Sequence, residues 1–471
     1  MSELTEMAGF GRPRRAAIAN LGCKVNQAEM DAVERLLRGN GVEVVGAHEP
    51  ADLVVVNTCT VTAIADRKSR QAIRRARRAN PRAQIIVTGC TVAVDADSLA
   101  AVDPAALLYD NDSKMALLAE LDALLELPEG GLLPTLSGVG PASPEHERDD
   151  AEGSVEDDFE GGDIDRPRAF IKIQDGCSFH CTYCIIPRAR GRERSVPAET
   201  VLEDVRRALA AGHREVVLTG INAGTYFYAG LDLAGLVRRL LAETPVERIR
   251  LSSIEPQHVT DELLSVWVSS GGRCLPHFHV PLQSGDDRIL RRMGRRYDTA
   301  FYAGVVAAVR RAIPGAAVHA DLIAGFPAED DESWSRTMAF VRGLDLAGIH
   351  VFRYSVRPGT PAARMIGQVD GRAKKVRSAE ALTLAAESRK RFAAAQLGRW
   401  LEVLFERQLA DGRWLGHAEN YVSVACSCAE PLDNRIAVVR AESVDSDIPD
   451  RVRARLVQFV DLREGLAKSR R

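Results

Sequence analysis

Residues 176–195 read GCSFHCTYCIIPRARGRERS, and this stretch decides how the chain is organised. Cys177, Cys181 and Cys184 stand in a C-x3-C-x2-C pattern that folds three thiolates onto one short loop. A 4Fe–4S cluster is ordinarily held by four thiolates. Three ligands this close, with no fourth beside them, would leave one iron open to a ligand that is not protein. Zinc is the competing reading, but zinc motifs come as two pairs of Cys or His. His180 could serve as a fourth zinc ligand only by straining the loop between two cysteines.

Working outward, an apolar strand near 168–174 leads into the loop. Five more follow near 214–220, 246–252, 275–281, 317–323 and 348–354. Helical patterns separate them, such as PAETVLEDVRRALAAG, which opens on Pro and closes on Gly212. Six β-α units predict an open, partial barrel, and barrels of this kind keep their chemistry at the C-terminal strand ends. The cysteine loop follows the first strand, as that rule requires.

Upstream, RRAAIANLGC reads as a strand running into Cys23, DLVVVNTC as a strand running into Cys59, and QIIVTGC as a third running into Cys90. A helical pattern, NQAEMDAVERLLRGNG, lies between the first two, and a basic helix, about 66–79, between the second and third. Such a β-α-β-α-β series predicts three parallel strands in one sheet. Cysteines directly after three parallel strands project from one edge, where α/β sheets place their ligands. That geometry predicts a second metal site at Cys23, Cys59 and Cys90. The remaining Cys274, Cys426 and Cys428 read as packing residues, since a free cysteine behaves as a small hydrophobe.

The loop, with Tyr183 just before its last cysteine, resembles the signature of the radical S-adenosylmethionine (SAM) superfamily. The longer string KIQDGCSFHCTYCIIPRARG resembles the methylthiotransferases, most closely the branch acting on N6-threonylcarbamoyladenosine in tRNA. LGCKVNQ, NTCTVTAIADRKSRQA and VTGC extend the resemblance to the N-terminal region, while TVAVDAD after Cys90 departs from the usual Tyr, Ala and Gln. The resemblance implies one 4Fe–4S cluster on Cys177, Cys181 and Cys184 that cleaves SAM to an adenosyl radical. It implies a second, auxiliary cluster on Cys23, Cys59 and Cys90 that gives up sulfur. Tyr183, Gly220, Asn222, Ser253, Glu255 and Gln283, on the cysteine loop and at later strand ends, become the expected SAM contacts. An electron donor such as flavodoxin or ferredoxin is implied as well.

Composition agrees with a multidomain protein. The 471 residues exceed one ordinary core, and 46% hydrophobic with 27% charged residues fits a globular chain. With no signal-peptide layout and no long apolar run, a cytoplasmic protein without membrane contact is expected. Residues 145–165 carry eleven acids and one arginine, net −10, so the rest of a chain of net −3 carries +7. That acidic stretch, poor in large apolar residues, reads as a flexible linker over 141–165. Arginines cluster at 188, 190, 192 and 194 and again at 291, 292, 295 and 296. A solvated face is the default reading of them, and phosphate contact the functional one.

After a helical stretch at about 370–397, LEVLFER, RWLGHAEN, YVSVACS, NRIAVVRAES and RLVQFVDL read as short strands of a small antiparallel barrel. It resembles the TRAM domain, an RNA-binding module. The expected domains are therefore 14–140, the linker 141–165, the partial barrel 166–396 and the TRAM barrel 397–464. The activity implied is addition of a methylthio group to C2 of N6-threonylcarbamoyladenosine next to the tRNA anticodon. The same chemistry on isopentenyladenosine or on a ribosomal-protein aspartate is the alternative. A zinc-stabilised RNA-binding protein without catalysis is the alternative of another class.

Overall fold

The computed structural model describes residues 13–47, 49–125 and 167–460, and the acidic stretch 141–165 lies outside them. The chain divides into two compact units, and Arg188–Arg190 group with the N-terminal one.

In the first unit, β1 (Arg15–Asn20), β2 (Glu43–Val45), β3 (Leu53–Thr58), β4 (Gln84–Gly89) and β5 (Leu107–Tyr109) form one sheet in the order β2-β1-β3-β4-β5. Every pairing is parallel, as the β-α alternation requires. β3 and β4 are buried along their whole length, which is why they read as unbroken apolar runs. Their side chains alternate between two cores. Leu53, Val55 and Ile86 meet α1 (Lys24–Gly39) through Val33 and Leu37, with Leu117 and Leu121 of α4 (Lys114–Leu125). Val54, Val56, Ile85 and Val87 face the other way, onto Ile73 of α2 (Ala63–Ala79) and Leu99 of α3 (Cys90–Ala100). The basic helix α2 starts three residues earlier than its periodicity predicts, because the Thr62 hydroxyl caps it by accepting from the Ala65 N–H. The two short edge strands β2 and β5 carry too few residues to show a pattern in sequence.

In the second unit, six parallel strands follow one another: β6 (Arg168–Lys172), β7 (Glu215–Thr219), β8 (Ile249–Leu251), β9 (His277–His279), β10 (Ala317–Ala324) and β11 (Gly348–Arg353). Ladders join β6-β7-β8 and β9-β10-β11. Parallel bridges Ile249–Cys274 and Ser253–His279 link the two sets, giving the open six-stranded arrangement expected. One continuous apolar core fills it, from Ile171 and Val216 through Phe278 and Val318 to Leu384 of the helix Gly371–Ala394.

That helix leads into a closed barrel of β12 (Trp400–Gln408), β13 (Trp414–Ala418), β14 (Ser423–Ser427), β15 (Ile436–Val444) and β16 (Arg451–Phe459). It is the small antiparallel barrel expected, with one parallel seam, where β14 and β16 meet to close it. β15 runs antiparallel to β12 and β16 antiparallel to β15, so closing the ring of five strands sets β16 beside β14 in the same direction. The small barrel packs on residues at or near the starts of β6, β7 and β8. Glu215 accepts from Arg248 Nε at 3.0 Å and Arg250 Nε at 2.6 Å, all three side chains being 1–2% exposed. Arg248 also reaches Glu402 of β12 at 2.8 Å, and Arg168 reaches Glu406 at 3.2 Å. The small barrel therefore stands at the end of the partial barrel opposite the cysteine loop. Among the described residues, no helix is long and apolar enough to cross a membrane.

Candidate active site

Cys23, Cys59 and Cys90 occupy one edge of the first sheet. Cys23 caps α1 just after β1, Cys59 follows β3, and Cys90 opens α3 directly after β4. Gly89 makes the last of these turns possible. Its φ is +104°, and a Cβ there would stand 2.4 Å from the Thr58 carbonyl oxygen. Burial pushes the Cys59 thiol up to about 12, with a further rise from the neighbouring Cys90 and Cys23. Such a thiol ionises only when a metal replaces its proton. The three sulfurs thus feel one another. Among the described residues, however, the only trio whose ligand atoms gather as tightly as a single ion needs is His279, Asp321 and His350. Three soft thiols in that looser arrangement suit a cluster of several metals rather than one zinc.

The second cysteine loop begins at Gly176, another left-handed position (φ +69°), where a Cβ would lie 2.0 Å from the Arg192 carbonyl oxygen. The loop is held by its own backbone. The Cys177 N–H donates to Gly191 O at 3.1 Å and the Cys184 N–H to Cys181 O at 3.0 Å. Thr182 donates to Met293 O at 2.9 Å and accepts from the Ala362 N–H at 2.8 Å, which fixes the loop between two later segments. Behind it Tyr183 packs on Phe326, centroids 6.4 Å apart, within a small apolar cluster of Ile289, Met293 and Tyr354. Burial raises the Cys184 thiol to about 12 and the Cys177 thiol above its ordinary range. His180 is exposed to solvent.

The strand ends bring the expected contacts toward this loop. Asn222, 3% exposed, has a side-chain amide with no hydrogen-bond partner among the described residues beyond a weak approach to Cys177. The Ser252 hydroxyl is likewise buried and unpaired. Orphaned polar groups beside a three-thiol loop fit a polar ligand that fills the space between them. Gly220 has a Cβ direction only 2.9 Å from Gln174 Oε1, which in turn accepts from the Asn222 N–H at 2.8 Å. Gln283 holds a φ of +73°, an outlier for a residue with a side chain, between Asp321 and Ile323 of β10. Ser253 faces the His279 ring rather than open space, Oγ to Nδ1 at 3.1 Å.

Several functional groups here carry no signal in the sequence. Arg295 is not on a solvated face: its side chain is 3% exposed and pairs with Glu255. Burial works to lower its pKa, but Tyr183, Tyr297 and Glu255 hold it firmly protonated. Burial raises Glu255 in spite of that partner. Arg190 is likewise buried, within the first unit. His279 Nε2 lies 2.7 Å from Asp321 Oδ1, so Ser253, His279 and Asp321 form one hydrogen-bonded line, with His350 ring-to-ring against His279 at 4.9 Å. Asp321 stays below the usual carboxylate range because His279 and His350 outweigh its burial. Only the register of β9, β10 and β11 brings these residues together. The leftover Cys274 and Cys426 are buried in apolar cores, as expected.

Two family descriptions match the chain: Uncharacterized protein family UPF0004 over residues 15–109 and Radical SAM superfamily over 171–341. Among solved structures, the radical SAM methyltransferase TsrM from Kitasatospora setae aligns with a TM-score of 0.53 at 18% identity, covering 74% of this chain and 75% of that one. With the three-cysteine loop on a partial barrel, these matches define a radical SAM enzyme. The threonylcarbamoyladenosine tRNA methylthiotransferase of Bacillus subtilis is 36% identical over 434 residues, covering 90% of this chain and 93% of its own. The Aquifex aeolicus protein of the same description is 36% identical over 87% of this chain and 96% of its own. A tRNA-2-methylthio-N(6)-dimethylallyladenosine synthase from Maricaulis maris is 31% identical over 91% and 95%. The chain belongs to the radical SAM methylthiotransferase family. It is an enzyme that transfers sulfur-containing groups, and its cofactors are SAM and 4Fe–4S clusters.

Proposed function

We propose that this enzyme replaces the C2 hydrogen of N6-threonylcarbamoyladenosine in tRNA with a methylthio group. The observation that carries the reading is a second three-cysteine site in addition to the radical SAM loop, in a chain 36% identical to the Bacillus subtilis enzyme over nearly its full length. In this reading Cys177, Cys181 and Cys184 hold the cluster that meets SAM, and Cys23, Cys59 and Cys90 hold the cluster that donates sulfur. When bound, these groups supply the adenosyl radical and the sulfur.

The chain's own residues then hold and orient. Asn222 and Ser252 offer a buried amide and hydroxyl to SAM, as do Glu255 and Gln283 with their polar side chains, while Gly220 leaves no side chain in the way and Tyr183 buttresses the loop. Arg295 keeps a fixed positive charge against Cys181 and Glu255. Ser253, His279 and Asp321 present a polar wall inside the barrel. Arg192, Arg291, Arg292 and Arg296 would meet tRNA phosphates, contacts that position RNA without reading its sequence. The partner is tRNA, met in the cytoplasm, with a flavodoxin- or ferredoxin-type electron donor.

Iron and sulfide analysis of anaerobically purified protein tests the two-site arrangement. Wild type should carry about eight irons, falling to about four when Cys177, Cys181 and Cys184 are all alanine. Four falling to none would remove the sulfur-donating site, and zinc in place of iron would overturn the radical chemistry.

A further inference from the structure

We infer that Arg190, Glu29 and Lys114 form a buried charge frame that sets the reduction potential of the cluster held by Cys23, Cys59 and Cys90. The inference rests on the assignment of that cluster proposed above. Arg190 stands six residues after Cys184 in sequence, yet it groups with the first unit and is 1% exposed. Its guanidinium donates to Glu29 at 3.0 and 3.3 Å and to Asn26 Oδ1. Lys114, itself largely buried, pairs with the same Glu29 carboxylate. Glu29 thus holds both cations in place, and the frame sets two fixed positive charges on either side of one carboxylate.

Two asparagines connect this frame to the cysteines. Asn26, which accepts from Arg190, places Oδ1 3.9 Å from Cys23 Sγ. Asn111 donates to Cys90 Sγ at 3.6 Å and, with the same amide, to Ala189 O at 2.6 Å. Residues 189 and 190 thus each hold an asparagine that touches a different cysteine of the trio. Asn26 Oδ1 lies between the Arg190 guanidinium and Cys23 Sγ, so the cation stands one side chain away from a ligand sulfur. A fixed cation this close favours the more negative, reduced state of a cluster, and so raises its potential. Glu29 acts with the opposite sign.

A purely structural Arg190 would leave the potential alone, which makes the sign pattern the test. Full-length protein carrying both clusters is titrated with dithionite under EPR. The signal that SAM perturbs is assigned to the Cys177 loop and the other to Cys23, Cys59 and Cys90. Arg190→Gln should lower the midpoint of the second signal, Glu29→Gln should raise it, and Arg190→Lys should leave it near wild type, with iron content unchanged throughout. If Arg190→Gln sheds the cluster, Lys114→Met (expected to lower the midpoint) and Glu29→Gln carry the same sign test. Midpoints that stay put, or that move in one direction for cation and anion removal alike, overturn the inference. A wild-type protein with a single cluster would instead overturn the assignment beneath it, and the iron count alone reveals that case.

Discussion

Arg295 places Nη1 3.3 Å from Cys181 Sγ and 3.4 Å from the Tyr183 hydroxyl, while Nη2 pairs with Glu255. One buried guanidinium thereby joins the cysteine loop to the end of β8, the carboxylate expected to meet SAM. Arg295→Gln removes the charge and leaves Glu255 buried without a partner, a loss of about 3–5 kcal/mol in stability. We predict that 5′-deoxyadenosine formation from SAM falls by about two orders of magnitude, because a preorganised charge of this kind is worth that much. Chromatography of the SAM products, beside an iron assay showing the cluster retained, checks it.

The line Ser253–His279–Asp321 makes a second prediction. Asp321→Asn no longer anchors the His279 ring or holds its charge distribution, while nothing in the cysteine loops changes. Methylthio transfer to tRNA should drop by about 10²-fold, in the range of a lost orienting polar group. Both iron content and SAM cleavage without tRNA should stay within about twofold of wild type. Equal loss in SAM cleavage would place the line in cofactor binding instead.

Acid stability follows from the network beneath the barrel. Burial works to raise Glu215 and Glu406, but Arg250 and Arg248 beside the first, and His417 and Arg168 beside the second, bring both down to about 2. A carboxylate depressed from about 4.5 stabilises the fold fully above that pH and loses the contribution as pH falls toward 2. Thermal unfolding midpoints should therefore drop steeply between pH 4.5 and about 2. Glu215→Gln, which removes the carboxylate partner of buried Arg250 and leaves Arg248 only Glu402, should cost about 3–5 kcal/mol at neutral pH and flatten that drop.

Backbone geometry at the two cysteine sites gives a matched pair of predictions. Gly176→Ala sets a Cβ 2.0 Å from Arg192 O, and Gly89→Ala sets one 2.4 Å from Thr58 O, both at positive φ. Each should cost at least about 1–3 kcal/mol of strain. Gly176→Ala should lose the SAM-responsive EPR signal and keep the other, and Gly89→Ala should do the reverse.

Much of this was legible in sequence because it is local or periodic. Cys23, Cys59 and Cys90 each come shortly after a strand with an apolar stretch, the loop of Cys177, Cys181 and Cys184 follows the first barrel strand, and parallel topology sets which edge they reach. The six barrel strands show for the same reason. What sequence could not give depends on partners far along the chain. Arg190 meets Asn26 and Glu29, Arg295 meets Cys181, and Glu215 meets two arginines more than thirty residues away. In sequence these arginines look like solvated charge, and only packing shows them buried. The parallel seam of the small barrel was hidden because strand patterns do not encode pairing direction.

The central claim is transfer of a methylthio group to N6-threonylcarbamoyladenosine, and nucleoside mass spectrometry of tRNA tests it most directly. tRNA from a strain lacking this gene should contain N6-threonylcarbamoyladenosine and lack its 2-methylthio derivative. Wild-type protein should restore the derivative, and a variant with Cys23, Cys59 and Cys90 replaced by alanine should not. A strain whose 2-methylthio-N6-threonylcarbamoyladenosine is unchanged, while the methylthio form of isopentenyladenosine disappears, would contradict the account.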